Sequence, residues 1–269
     1  MTLSVVITHY KTPELLMLCI NSIKNTVKNI AFEIIVVDSE TEKRNREFIL
    51  DKHPEANFIG FEKNVGYAKL VNAGIKEAKG EFILILNADI IMLESAIEKL
   101  LGYAKKNPDV GIIGPQLLDF TNNIQTSCFS DPEWGSILAR RSFLGKLKWG
   151  KDKLKKFAIG EWDKKSLREV DWVQGSAMFV KKEIIDKIGL MDERFFMYFE
   201  DADWCRRFRK AGHKVVYLPE AQMSHYYHRA SKKWGFLLDI LFNKYTRIHI
   251  LSSIKYFSKW KNYENENKE

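Results

Sequence analysis

Three short runs constrain this 269-residue chain more than anything else in it: Leu3–Thr8 (LSVVIT), Phe32–Val37 (FEIIVV) and Phe82–Leu86 (FILIL). Each is largely apolar and β-branched, the pattern of a strand covered on both faces. Each ends on polar residues: His9, then Asp38-Ser39, then Asn87-Ala88-Asp89. Helical spacing fills the intervals. Thr12-Pro13-Glu14 opens a helix, with Thr12 as cap, and Leu15, Leu16, Cys19, Ile20 and Ile23 recur on one face. Tyr67–Ala78 and Leu93–Lys106 read as two more helices, Asn57–Phe61 as a weaker strand, and Val110–Ile113 as a strand closed by Gly114-Pro115. The alternation predicts an α/β fold with a mostly parallel central sheet flanked by helices. In such sheets ligands bind beyond the carboxyl ends of the strands, where His9, Asp38 and Asp89 lie.

Past Gly114 the pattern changes. Asn122-Asn123 reads as a turn between short strands, and the segment through Lys165 carries little periodicity, predicting an irregular region with room for a helix. Val170–Val180 reads as one strand with Gly175 inside it, a position where a backbone or ligand approaches closely. Lys182–Ile188 is a short helix closed by Gly189, Ala202–Ala211 a helix ended by Gly212, and Lys214–Leu218 a last strand. From Ser231 to Tyr256 apolar residues recur at helical spacing among Lys and Arg, and 262–269 reads as frayed.

Charge is uneven. The formal net charge is +8, and between Arg140 and Arg168 stand eleven Lys/Arg against Asp152, Glu161 and Asp163. A localised basic field suits a polyanionic partner (nucleic acid, anionic lipid or diphosphate), while a solvated loop without a partner is the plain alternative. Cys19, Cys128 and Cys205 form no CxxC pair, which argues against a disulfide framework or a zinc site and for a reducing, cytoplasmic setting. The amino end shows no basic secretory leader, and no apolar run approaches the roughly 18–20 residues of a membrane span.

The chemistry-bearing candidates follow from this frame. Phe195–Arg207 (FFMYFEDADWCRR) sets Glu200, Asp201 and Asp203 between aromatic and basic residues. A carboxylate against apolar rings is held near the pKa a general base needs; a helix start with acids in its first turn is the competing reading. Asp38 at a strand end suits hydrogen bonds to a base or ribose, or caps the next turn. Asn64-Val65-Gly66-Tyr67 offers a glycine for close backbone approach and a helix amino end that favours anions. Asp89 suits a divalent metal that also binds diphosphate, or a helix cap. His225, in the stretch with His228 and Arg229, is a metal-ligand candidate or a structural histidine. The chain has no P-loop and no GxGxxG, which argues against an NTPase or a dinucleotide dehydrogenase.

The ordered blocks LSVVITHYKTPELLMLCINSI, EIIVVDS, NVGYAKLVNAGIKEAKGEFILILNAD, VDWVQGSAMFVKKE, IGLMDERFFMYFEDADWCRRFRKAG and HYYHRAS carry a resemblance over most of Leu3 to Ser231. In them the chain resembles the inverting family 2 glycosyltransferases, among them the bacterial rhamnosyltransferase-like members. The resemblance implies a GT-A fold with a Rossmann-like sheet: residues 1–115 as the nucleotide-sugar half, 116–230 as the acceptor-binding half of the same domain, and 231–269 as C-terminal amphipathic helices. It implies transfer of a sugar from a nucleoside diphosphate to a saccharide hydroxyl in cell-surface polysaccharide biosynthesis. The donor expected is dTDP-L-rhamnose, with UDP-sugars next, and the acceptor is expected to be polyprenyl-diphosphate-linked. A non-catalytic nucleotide-sugar-binding protein is the alternative. By position, Asp201 matches the general base. Thr8, Tyr10, Asp38, Asn64, Gly66, Lys69, Asn87, Ala88 and Arg229 fall to the donor, and Trp172, Gln174, Gly175 and Glu200 to the acceptor or sugar pocket. Asp89 and His225 fall to a Mg2+ or Mn2+ ion. Asn87 replaces the first acid of the family's DXD metal motif, and the basic segment matches no family block. That segment and the tail are expected to contact the inner face of the cell membrane, or the tail to form a homodimer.

Overall fold

A computed structural model describes residues 1–226 and 243–266. The first half follows the sequence reading closely. Strands β1 (Leu3–His9), β2 (Phe32–Ser39), β3 (Asn57–Phe61) and β4 (Phe82–Asn87) pair in parallel in the order β3-β2-β1-β4. Helices α1 (Pro13–Thr26), α2 (Lys43–Lys52) and α3 (Tyr67–Glu77) connect them. Thr12 sits at the cap position of α1, but its side chain does not cap the helix. Helix α2 has no counterpart in the periodicity because it buries only Ile49.

After a three-residue strand β5 (Ile90–Met92) and helix α4 (Ala96–Lys106), β6 runs over Val110–Leu118, straight through Gly114-Pro115. Proline ends a central strand only if its missing N–H goes uncompensated. Here the parallel partner β11 (Lys214–His225) slips register between Leu218 and Gln222, opposite Pro115 and Gln116. That bulge lets both strands continue, so β11 carries on to His225 instead of stopping at Leu218.

The expected single strand over 170–180 is two pieces, β9 (Trp172–Val173) and β10 (Ala177–Lys181). β9 follows the short β8 (Arg168–Glu169) and pairs with β7 (Cys128–Phe129) in a small second sheet. The reason lies at Gly175, whose N–H goes to Asp201 and whose C=O goes to Tyr67, so neither group joins a ladder. β10 enters the main sheet antiparallel between β4 and β6, giving the order β3-β2-β1-β4-β10-β6-β11-β5 with β8 on the side of β11. Chain from both halves therefore builds one mixed sheet, in which the parallel pairings are the longer ones.

The basic segment, expected to be irregular, is mostly helical: α5 (Trp134–Arg141), a 3-10 turn (Phe143–Lys146) and α6 (Lys148–Phe157). Helices α7 (Lys182–Ile188), α8 (Glu200–Lys210) and α9 (Lys244–Glu266) complete the described chain. Helix α9 is ordered well into the stretch that reads as frayed, because Tyr256 and Trp260 are buried on the domain. The part of the predicted tail helix that precedes it lies outside the described residues, as do His228 and Arg229.

Alternation of side chains along the strands splits the core into two layers. Leu3, Val5, Ile7, Leu84 and Leu86 face α1 and α4, while Val6, Ile35, Ile83 and Ile85 face the side of α3, α7, α8 and α9. Full burial of each such aliphatic stabilises by about 1.5–3 kcal/mol. The two layers fix the carboxyl edge of β1, β2 and β4, and the candidate residues gather there.

Candidate active site

Two adjoining cavities open at that edge. The first, about 430 Å³, is lined by Thr8, Tyr10, Asn64, Gly66, Asn87, Ala88 and Asp89 among others. The second, about 470 Å³, is lined by Trp172, Gln174, Gly175, Glu200 and Asp201 together with Arg140, Arg141 and His249. Tyr10, Tyr67, Asn87, Met197 and Tyr245 border both. The expected donor residues thus fall on the first cavity and the expected acceptor residues on the second, with three exceptions. Lys69 is exposed on α3 and lines neither cavity. Asp38 is buried behind the first, where its Oδ1 accepts from His9 Nδ1 at 2.7 Å. The Thr12 N–H donates to His9 Nε2 at 3.0 Å, which places the ring proton on Nδ1. Arg229 lies outside the described residues.

The floor of the first cavity is set by strand register. The short strand β5 pairs antiparallel with the end of β11, His225 opposite Ile90, and so delivers His225 beside Asp89. His225 Nε2 lies 3.6 Å from Asp89 Oδ1. Gln125 fixes the imidazole: its amide nitrogen donates to the His225 carbonyl at 2.9 Å, turning its Oε1 toward Nδ1, also at 2.9 Å. The proton therefore sits on Nδ1, and the lone pair of Nε2 points at the aspartate. Burial pulls the His225 pKa down to about 4, keeping the ring neutral, and lifts Asp89 to about 6. Asp89 Oδ1 is buried with no hydrogen-bond partner among the described residues. Two ligands of one small divalent ion, each at roughly 2.1 Å, lie no more than about 4 Å apart. A neutral imidazole and a carboxylate at this spacing, backed by a hydrogen-bonded amide, fit such an ion.

Gly66 makes a close approach within the protein itself. Its φ is +85°, and a Cβ there would stand 2.3 Å from the Phe196 carbonyl oxygen. That same oxygen accepts the Tyr67 N–H at 2.7 Å, so the first amide of α3 is spent on the chain just before the acidic helix. The close approach joins two parts of the site, and Gly66 also lines the first cavity.

In the second cavity Asp201 is held from both sides. Its Oδ2 accepts the Gly175 N–H at 2.9 Å and its Oδ1 the N–H of Ala202 at 2.8 Å. Each carboxylate oxygen keeps a further lone pair for a substrate proton. Burial raises the Asp201 pKa, while the two backbone donors work against the rise. Its neighbour Glu200 is more deeply buried, with Oε2 lacking a partner among the described residues. Burial, and then the charge of Asp201, lift Glu200 well above the usual carboxylate range. Of the two, Glu200 is the one that keeps its proton. It is the more deeply buried and has only its own backbone N–H as donor, whereas Asp201 also has those of Gly175 and Ala202. Tyr67, whose phenol donates to the Gly175 carbonyl, stands between the carboxyl pair and Asp89.

Asp203 has a different job. It is fully buried and accepts from Arg207 Nε within α8 and from Lys259 Nζ and Trp260 Nε1, which tie α8 to α9. Tyr198 and Phe199, in the left-handed region at φ 70° and 73°, set their rings against His249 of α9 just before Glu200. The acidic stretch starts a helix, as the competing reading expects, and it also places a carboxyl pair in a cavity. The sequence marks Tyr67 only as part of a helix-start stretch, and Gln125, Arg140 and His249 not at all as site residues, because nothing local distinguishes them from helix or loop positions.

Relatives and solved structures bear on the family and the fold of the chain. N-acetylglucosaminyl-diphospho-decaprenol L-rhamnosyltransferase of Mycobacterium tuberculosis is 26% identical over 206 residues, covering 72% of this chain and 66% of that protein. Rhamnosyltransferase WbbL of Escherichia coli is 27% identical over 209 residues, covering 78% and 73%. The chain thus spans about two thirds of the length of these curated relatives. The crystal structure of GalNAc-T7 with UDP, GalNAc and Mn2+ superposes with a TM-score of 0.64 at 16% identity, over 84% of this chain and 44% of that one. The fold is GT-A. The model of glycosyl transferase family 2 matches residues 4–148, more than half of the chain, and to that family the chain belongs.

Proposed function

We propose that the chain is an inverting glycosyltransferase that moves L-rhamnose from dTDP-L-rhamnose to a hydroxyl of a lipid-diphosphate-linked saccharide. The observation that carries this is the pairing of two contiguous cavities. One has a cation-type pair, Asp89 and His225, on its floor, and the other a buried carboxyl pair, Glu200 and Asp201. The names of the two relatives support rhamnose as the sugar, and the first of them supports an N-acetylglucosaminyl-diphospho-lipid as acceptor.

The residues divide the work by position. Thr8, Tyr10, Asn64, Asn87 and Ala88 line the cavity for the nucleoside diphosphate. Asp89 and His225 would hold a divalent ion, Mn2+ or Mg2+, with the donor diphosphate completing its shell. Among the described residues no third His, Cys, Asp or Glu joins them. Such an ion supplies charge neutralisation to the departing diphosphate. Asp201 takes the proton of the acceptor hydroxyl as that oxygen bonds to the anomeric carbon from the opposite face. The anomeric carbon–oxygen bond breaks, and its electron pair leaves with the nucleoside diphosphate. Glu200, holding its own proton, leaves Asp201 as the one charged acceptor beside the substrate. Trp172 and Gln174 wall the cavity in which that hydroxyl is oriented.

The deciding experiment incubates the chain with dTDP-L-rhamnose or UDP-sugars, a short-chain N-acetylglucosaminyl diphosphate lipid, and Mn2+, Mg2+ or a chelator. Transfer from dTDP-L-rhamnose that the chelator stops is expected. Absence of transfer, together with no thermal stabilisation by any nucleotide sugar, rules the reading out.

A further inference from the structure

The tail helix buries much of its apolar face and leaves Leu251 and Ile254 exposed. His249, Ser252, Ser253, Tyr256 and Trp260 of α9 are buried on the domain, and Ser252 donates to the Met197 carbonyl at 2.8 Å. More exposed large apolar side chains cluster on the hairpin made by α5, the 3-10 turn and α6. Its inner side is core: Ile137, Ala139 and Phe157 are buried, with Phe157 stacked on Phe129 at 5.1 Å. Glycines let its parts close tightly, since a Cβ at Gly145 would stand 2.3 Å from the Ala139 carbonyl oxygen and one at Gly150 closer still to that of Leu144. With the inside filled by backbone and small residues, the large side chains of the turn point outward. Phe143 is 72% exposed, the highest among the large apolar side chains of the described residues, and Leu138, Leu147 and Trp149 are exposed with it.

These apolar groups are interleaved with cations. From Trp134 to Phe157 the chain has eight Lys/Arg and a single acid, Asp152. Lys153 and Lys156 are engaged by Glu133, whereas Lys146, Lys148 and Lys151 flank Phe143, Leu147 and Trp149 on the exposed turn. A nucleic-acid surface has no use for protruding Phe and Leu side chains without a groove or stacking platform. Aromatic and aliphatic tips set among lysines match the headgroup region of an anionic bilayer, which takes the rings into the acyl boundary and pairs the lysines with phosphates.

We infer that the α5–α6 hairpin is a membrane-docking element that seats the protein on anionic phospholipid through Phe143, Leu147, Trp149 and the neighbouring lysines. The position has a consequence for the acceptor, and this part rests on the proposed function. Ile137, Arg140 and Arg141 of the same hairpin wall the cavity that holds Asp201. A bilayer under the turn would present a lipid-linked saccharide next to that wall.

Flotation of the full chain with vesicles tests the inference with no donor or acceptor present. The chain is expected to float with vesicles of phosphatidylethanolamine and phosphatidylglycerol, to do so less at high salt, and to stay behind with pure phosphatidylcholine. The triple variant Phe143→Ala, Leu147→Ala, Trp149→Ala is expected to lose on the order of tenfold in partition, as is Lys146→Glu, Lys148→Glu, Lys151→Glu. None of these residues lines either cavity. Melting temperature and thermal stabilisation by nucleotide sugar should therefore match the parent chain, which separates lost docking from lost folding. Parent chain that does not float, or variants that float as well as the parent, overturns the inference. So does retention on RNA that the lysine variants lose while vesicle partition is unchanged. Flotation without sugar transfer would instead leave the docking surface standing and remove the proposed reaction.

Discussion

Lys259 Nζ lies 2.8 Å from Asp203 Oδ2, joining the last described helix to the helix that carries Asp201 two residues earlier. Asp203 is wholly buried, and Arg207 and Trp260 also donate to it. Removing the carboxylate leaves Lys259 and Arg207 partly buried around an empty centre. Asp203→Ala should therefore cost about 3–5 kcal/mol, read as a lowered denaturant midpoint. A loss well under 1 kcal/mol would mean that α9 is held by its aromatic contacts alone.

Asp201→Asn keeps the shape of the side chain but removes its capacity to take a proton. Transfer is expected to fall by about 10²–10⁴-fold, while thermal stabilisation by nucleotide sugar persists, because the donor cavity is lined by other residues. Rates near those of the parent would reassign the base.

Gln125→Leu removes the acceptor that holds the proton on His225 Nδ1. Nε2 would then be free to carry it and face Asp89 with a hydrogen. Mn2+ affinity, followed by calorimetry or by electron paramagnetic resonance, is expected to weaken by about 10–100-fold. Unchanged affinity would count against His225 as a ligand.

Glu200 gives a pH signature. A carboxyl whose folded-state pKa is raised above the usual 4.5 binds its proton more tightly when folded. It therefore detracts nothing from stability below the unfolded pKa, and stability falls as pH rises from there toward the folded pKa. Glu200→Gln removes this slope. The variant should melt close to the parent at pH 4 and above it at pH 7–8; the reverse order would show that Glu200 is charged and stabilised in the fold.

The first half of the fold was legible because its information is local. β1, β2 and β4 announce themselves through largely apolar runs, and α7 with Gly189 falls where its spacing puts it. Errors arise where a tertiary contact replaces a local rule. Pro115 stays inside β6 because β11 bulges opposite it. Gly175 breaks a strand because its amide and carbonyl belong to Asp201 and Tyr67. The basic segment folds as a hairpin through glycine contacts that carry no hydrophobic period.

The sequence by itself determined a parallel α/β sheet with polar residues at its strand ends, and an acidic stretch that opens a helix. Both follow from the period of the apolar positions, which each segment carries within itself. Only the tertiary structure decided which polar groups meet. Asp89 finds His225 through the β5–β11 register, Asp201 finds Gly175 across a broken strand, and Asp203 finds Lys259 at the far end of the chain. Such pairs depend on strand order and crossover, which fix distances between residues remote in sequence. No local periodicity encodes those distances.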